Sequence, residues 1–312
     1  MAGFFNSGSK ILKLYWIIRG YIIEYLVEKD KSMLRIVMDT AGDLAEGWQE
    51  EYQIDLIPIN IIHEGKSYLQ GIDLGYDDFY KLVESSSTLP STSQPTPYQF
   101  VEFYRKIAQP GDTILSVHVT EKLSGTMASA IQAAKELEKE FHILPYDSAS
   151  GTISMGMMVK EAREMERNGK SLDEIIQRLD FIRVNTRLVF TLDTLKFASM
   201  SGRVKHLQAS LAALLKVKPI IELKDGLVVM GEKVRSRAKS IDTLLEKIKQ
   251  QFGTQRINAA VVHANDKKAG IDMLQRVISQ NNCAEAVLGE LSISLAANFG
   301  PGTLGIVAYP VE

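Results

Sequence analysis

The sequence predicts an α/β protein of two α/β domains, the first with a largely parallel sheet, and three observations carry that prediction. Short apolar runs such as LRIVMD (34–39), TILSVHV (113–119) and FHILPYD (141–147) alternate with longer segments of helical period. Helix-start signals stand between them, the clearest being Thr96 followed by Pro97 and Gln99, a capping box with proline at the first helical position. A chain of 312 residues, 45% hydrophobic and 24% charged, has the composition of an ordinary soluble protein of one large or two medium domains.

The elements follow in order. Residues 1–33 stand apart, because ILKLYWIIRGYIIEYLVEKDK (11–31) is far more apolar than the rest. Lys13, Arg19 and Glu24 interrupt it before the roughly 20 residues of a bilayer span, and no small-residue cleavage site marks a signal peptide. Two readings stand: an amphipathic helix laid on the body or on a membrane surface, or an upstream extension with Met33 as the natural start. From 34 to 185 the first domain runs through a strand at 34–39, a strand IDLIPINII (54–62) turned back by HEGKSY, and a helix near 77–86. A helix at 97–109, a strand at 113–119, a helix at 127–140 and a strand at 141–147 give the parallel rhythm. A helix over 154–169 ends at Gly169, and Ser171 with Glu174 caps the next. The second domain, 186–312, opens with RLVFTLD (187–193) and carries two strands about a Lys-Asp-Gly turn. Helices near 236–251 and 266–280 flank the strand INAAVVHA (257–264), and strands near 285–291 and 303–309 close the chain.

Several chemistries lose their usual markers. Lys plus Arg total 36 against 38 for Asp plus Glu, with no long block of either sign, which disfavours nucleic acid as a partner. A single cysteine, Cys283, fits a reducing, cytoplasmic compartment. His63, His118, His142, His206 and His263 show no ligand spacing, so no metal is expected. No phosphate loop and no Gly-x-Ser-x-Gly elbow occurs. GPGTLG (300–305) matches a dinucleotide fingerprint in letters, but only seven residues follow it, too few for the helix that mechanism needs. Gly300 and Gly302 read instead as a tight turn, or as a turn whose backbone N–H groups approach a ligand.

What remains is a set of loops rich in small hydroxyl residues, of which LPSTSQPTP (89–97) is wholly uncharged. That loop offers Thr92 and Ser93 between prolines, and TEKLSGT (120–126) places Ser124, Gly125 and Thr126 at a helix start after a strand. Free N–H groups and hydroxyls there can hold a carboxylate or phosphate without a full positive charge; plain capping is the competing reading. YDSASGTISMG (146–156) carries Asp147 and Ser148 in a third such turn, and SMSGRVKHL (199–207) offers Arg203 to an acidic ligand or partner.

In their order, MDTAGDL (38–44), TSQPTP (92–97), EKLSGT (121–126), YDSASGTISMG (146–156), LKFASMSGRV (195–204) and NFGPGTLG (298–305) resemble the DegV family of bacterial fatty-acid-binding proteins. The resemblance covers about 34–312. It implies a long-chain fatty acid, such as palmitate or oleate, in an apolar tunnel between or within two α/β domains, and no further cofactor. Thr92 and Ser124 would contact its carboxylate, with Ser93, Gly125, Thr126, Asn298, Gly300 and Gly302 as additional contacts. Arg203, Asp39, Asp147 and Ser148 would meet the head group or a partner. The implied role is that of a binding subunit, not an enzyme. It would present the carboxylate to a separate ATP-dependent fatty-acid kinase, which makes acyl phosphate for phospholipid synthesis, with transient membrane contact. This chain departs from the family's His-x-Gly-Pro-Gly by having Asn298, which can donate a hydrogen bond but cannot become cationic near neutral pH. Thr40 and Gly42 replace the usual Ser and Ala.

Two other readings compete. One is a stand-alone enzyme on a small carboxylate or phosphorylated metabolite, with Asp39 and Asp147 as acid/base pair. The other is an interaction protein whose cleft only docks a partner. A long apolar tunnel favours the carrier, and a short polar pocket favours the enzyme.

Overall fold

The structure, a computed structural model, describes residues 11–18, 21–28, 34–203 and 217–312. Met33 and residues 204–216, which include His206 and the end of the SMSGRVKHL stretch, lie outside the described residues.

The segment read either as an amphipathic helix or as an upstream extension carries two strands, β1 (Ile11–Ile18) and β2 (Tyr21–Glu28), paired antiparallel with Ile18 opposite Tyr21. The physical reason lies in composition: Ile and Tyr recur in both halves, with Trp16 in the first and Val27 in the second, and β-branched and aromatic residues lose rotamer freedom in a helix but fit a pleated ribbon.

In the first domain β3 (Leu34–Asp39), β4 (Ile54–Ile57), β8 (Thr113–His118) and β9 (His142–Asp147) form a four-stranded sheet of order β4-β3-β8-β9, parallel throughout. Its strands are apolar on both faces because both faces are covered. Val37 and Ile114 pack with Phe100, Tyr104, Ala130 and Leu137 of α3 (Pro97–Ile107), α4 (Thr126–Glu136) and the residue that follows it. On the opposite face Ile36, Met38, Leu115 and Val117 join Met155, Met158 and Val159 of α5 (Ile153–Arg167). Both predicted capping boxes are present, Thr96 with Gln99 and Ser171 with Glu174, the latter opening α6 (Leu172–Asn185).

The run IDLIPINII is not one strand. Pro58 has no N–H for a ladder, and beyond it the chain leaves β4 to enter a separate three-stranded antiparallel sheet. That sheet joins β5 (Asn60–His63), β6 (Lys66–Leu69) and β7 (Ser91–Ser93). The proline-rich loop is therefore partly a strand, with Thr92 opposite Ile61.

The second sheet, of order β12-β11-β10-β15-β13-β14, is mixed: β13 (Arg256–His263) and β14 (Asn282–Glu290) are parallel, and the other neighbours antiparallel. The remaining strands are β10 (Arg187–Thr191), β11 (Lys218–Lys224), β12 (Leu227–Val234) and β15 (Leu304–Pro310). Asp225 and Gly226 both have positive φ, 49° and 76°, as a two-residue hairpin turn requires. One face of this sheet packs on α8 (Arg237–Phe252) and α9 (Lys267–Gln280) through Leu244, Ile248, Met273 and Val277. The other continues the core around α5, so the two sheets share an inner layer. Three short helices among the described residues have no counterpart in the sequence reading, α1 (Trp48–Glu51), α7 (Lys196–Met200) and α10 (Ile293–Phe299). Among the described residues no helix is long and apolar enough to cross a membrane.

Candidate functional site

The carboxyl ends of the first sheet's strands, the three-stranded sheet and α10 meet around a cavity of about 480 Å³, mouth included. Ligand cavities characteristically occupy such strand ends. Thr92, Ser93, Gln94, Ser124, Arg203 and Asn298 line it on the polar side. Ladder pairing holds Thr92 in place, the Asn60 amide donates to the Gln94 carbonyl at 3.1 Å, and the Arg203 guanidinium donates to the Thr92 carbonyl at 3.2 Å. The Ser124 hydroxyl lies 2.8 Å from that of Thr126 and accepts from the Thr126 N–H at 3.3 Å, so it stands at the start of α4. Asn298 is committed at both ends: its carbonyl accepts from the Ser201 hydroxyl at 2.7 Å and its NH₂ donates to the Ser294 carbonyl at 2.7 Å.

The cavity is not a purely uncharged cradle, because Arg203 lines it as well. Desolvation holds the Arg203 guanidinium below its ordinary pKa, and an arginine so lowered is still a cation at neutral pH. Ser294 and Gln94 belong to this wall too, and sequence reasoning passed over both. Gln94 was legible as part of the TSQP motif; Ser294 sits in the short helix that went unread.

A second cavity, about 510 Å³, adjoins the first, and Val119, Leu123, Leu295 and Phe299 belong to both walls. Its remaining walls are mainly aliphatic and aromatic, with Phe190, Val228, Val262 and Leu291 among them. A polar chamber lined by Arg203, the one cation among its described residues, thus adjoins an apolar one.

Other expected residues lie elsewhere. Gly125 and Thr126 stand behind Ser124, where a β-carbon on Gly125 would come within 2.7 Å of the Gln94 amide. Gly300 and Gly302 do not line either cavity; φ values of +85° and +74° and close approach to Phe197 and Asp193 make them turn residues. Asp147 accepts from the Ala149 N–H at 2.9 Å and lines a separate surface groove, and buried Ser148 accepts from the Ser150 N–H at 3.1 Å.

Asp39 is buried and fully engaged. One oxygen accepts from the Ala41 N–H at 2.9 Å; the other accepts from the Val119 N–H at 2.8 Å and lies 3.1 Å from His118 Nδ1. His118 Nε2 is 2.8 Å from the Ser116 hydroxyl, which accepts from Tyr104 at 2.8 Å. This is a Ser–His–Asp line by composition, yet all three side chains are fully buried and Ser116 faces Tyr104 instead of a cavity. The line braces the turn that delivers Val119 to both cavity walls. Asp39 and Asp147 end strands on opposite sides of β8, two strand spacings or roughly 9–10 Å apart. The structure does not bring them together as an acid/base pair. Among the described residues no cluster of His, Cys, Asp and Glu could hold a metal ion.

A family model described as "Uncharacterised protein, DegV family" matches residues 33–311. A DegV domain-containing protein of Listeria monocytogenes is 31% identical over 277 residues, covering 88% of this chain and 97% of that protein. Among solved structures, a DegV family protein from Thermus thermophilus, described by its fatty acid binding, superposes with a TM-score of 0.81 at 30% identity, covering 89% and 99% of the two chains. Bacillus subtilis DegV, described as a fatty acid binding protein, superposes with a TM-score of 0.79 at 26% identity over 90% and 100%.

Proposed function

The chain belongs to the DegV family, and from that premise we propose that it binds a long-chain fatty acid, palmitate or oleate in kind, and presents the carboxylate to a separate ATP-dependent kinase. The observation that carries this reading is the adjoining pair of cavities, one with hydroxyls and an arginine, the other apolar. Thr92 and Ser124 would hold the carboxylate, with Ser93, Asn298 and Arg203 beside them.

Magnitudes divide the labour. About 14 methylenes at ~0.8 kcal/mol each correspond to roughly 11 kcal/mol of transfer free energy, against ~1.5–3 kcal/mol for each charge-assisted hydrogen bond. The tail supplies affinity and the head supplies orientation. A bilayer offers the same tail a similar refuge, so exchange with a membrane is nearly balanced, which suits a cytoplasmic carrier feeding phospholipid synthesis. In this reading the chain performs no chemistry itself; the kinase transfers the phosphoryl group. The full engagement of Asp39 and its separation from Asp147 weigh against the stand-alone enzyme.

Mass spectrometry of an organic extract of the purified protein tests the reading. A co-purified fatty acid is expected; protein that is clean and also refuses palmitate and oleate overturns it. The Thr92→Ala, Ser124→Ala double variant should bind at least tenfold more weakly and slow acyl phosphate formation by the reconstituted kinase. Unchanged binding and turnover would place the carboxylate elsewhere.

A further inference from the structure

The apolar chamber has a second boundary, at the end away from Thr92 and Ser124. There Ser150, Leu188 and Leu223 belong both to the chamber wall and to a surface groove, so a single layer of side chains separates apolar interior from solvent. Two polar atoms at this partition have no hydrogen-bond partner among the described residues. The hydroxyl of Ser150, a residue 5% exposed, has none, and neither does the buried Nε of Arg187, which lines the groove. A buried hydroxyl without a partner is costly in an apolar setting, and an oxygen acceptor at the partition would offer it one.

Cationic side chains outnumber acidic ones on the groove's own wall. Lys122, Arg183, Arg187 and Lys224 line it, against Asp147 and Asp225. Part of that charge is already compensated: Arg187 pairs with Glu222 at 2.6 Å, Lys224 with Glu222 at 3.3 Å and Arg183 with Asp180 at 2.9 Å. Lys122 donates to the Asp225 carbonyl at 2.7 Å, leaving its charge without a carboxylate partner in that bond.

We propose that this partition is a second mouth and that the chain accepts acyl ligands oxidised at the far end, a long-chain dicarboxylic acid above all. One carboxylate sits at Thr92 and Ser124, the methylenes cross the apolar chamber, and the second carboxylate emerges between Ser150 and Arg187 into the basic groove. The inference rests on the fatty-acid reading of the site.

The test is titration calorimetry of the full chain with palmitate and with α,ω-dicarboxylic acids of 12 to 18 carbons. A chamber sealed at its far end would bury the second carboxylate unpaired and discriminate against every diacid by more than about a hundredfold. The second mouth predicts at least one diacid within about tenfold of palmitate. It also predicts that Ser150→Ala and Lys122→Glu each weaken that diacid several-fold more than they weaken palmitate. Palmitate bound and all diacids refused, or equal effects of the variants on both ligands, overturns the second mouth alone. Refusal of palmitate as well overturns the fatty-acid reading, and this inference with it.

Discussion

The carboxylate of Asp43 accepts a hydrogen bond from the backbone N–H of Ser292 at 2.8 Å, across 249 residues of sequence, and its other oxygen meets the hydroxyl of Thr152. One buried acid therefore ties the turn after β3 to the starts of α5 and α10, and Thr152 is itself part of the apolar chamber wall. Burial pushes the Asp43 pKa up to about 7, against the hydrogen bonds from Thr152 and Ser292, which lower it, and with nearby Glu290 raising it further. Tyr76 and Tyr80 also face this group.

Unfolded, the acid titrates near its ordinary 3.8; folded, near 7, so folding takes up a proton between those values. The stability this group contributes is fully present below about pH 4 and is lost as pH rises through about 7, by up to 1.36 kcal/mol per pH unit. Asp43→Asn can accept from Ser292 and donate to Thr152 without titrating. Denaturant melts of both proteins from pH 5 to 9 should show the wild type losing stability relative to the variant up to about pH 7 and running parallel above it. Curves parallel throughout would refute the assignment.

Asp39 serves a different end, satisfying three donors at once. Asp39→Asn turns one acceptor into a donor facing either Ala41 N–H or Val119 N–H, and a buried donor left unpaired costs roughly 1–3 kcal/mol. We expect Asp39→Asn to lower unfolding free energy by about 2–4 kcal/mol and Ser116→Ala by about 1 kcal/mol. Urea denaturation with an unchanged m-value is the measurement; a loss below about 0.5 kcal/mol for Asp39→Asn contradicts the bracing role.

These two aspartates mark how far the sequence could be read. Helices opened by Thr96 and Ser171 were legible because their caps are local, two side chains and two backbone groups within four residues. The helix of ISLAANF was not, since its seven residues are short for a 3.6-residue period and its cap, Ser292, has no acidic partner three residues on. Pro58 should have split β4 from β5, but a proline inside an apolar run competes with the continuity of that run. For the site, Thr92, Ser124, Arg203 and Asn298 came from motifs, and the cavity joins them. Asp43 lay in the same motif as Asp39 and was passed over, because a contact to Ser292 leaves no trace in spacing. The same limit hid His118, whose partner stands 79 residues away.

Gly156 sets two effects against each other. Replacing a glycine inside α5 by alanine gains about 1 kcal/mol of helix propensity. A β-carbon there, however, would overlap the backbone carbonyl of Asp43, which cannot swing aside as a side chain could. Overpacking of this kind costs typically ~1–3 kcal/mol, so the close approach outweighs propensity. Gly156→Ala should lower the melting temperature; a rise would show that α5 can move away from the Asp43 turn.

Asn298 allows the head of the cavity to be tested by charge. It is 9% exposed, lines the polar chamber and holds Ser201 and Ser294 through its amide. An imidazole at this position can take up a proton as pH falls; burial and Arg203 oppose its charge, and a bound carboxylate favours it. The proposed carboxylate would then gain an attraction that an amide cannot supply. Asn298→His should bind palmitate several-fold more tightly at pH 6 than at pH 8, after correction for the wild-type response over the same range. Asn298→Ala, which keeps the shape of α10 but frees the Ser201 hydroxyl, should weaken binding at both pH values without adding pH dependence. If Asn298→His tracks the wild type across the range, the carboxylate lies out of reach of α10, and Thr92 and Ser124 hold it without help from that helix.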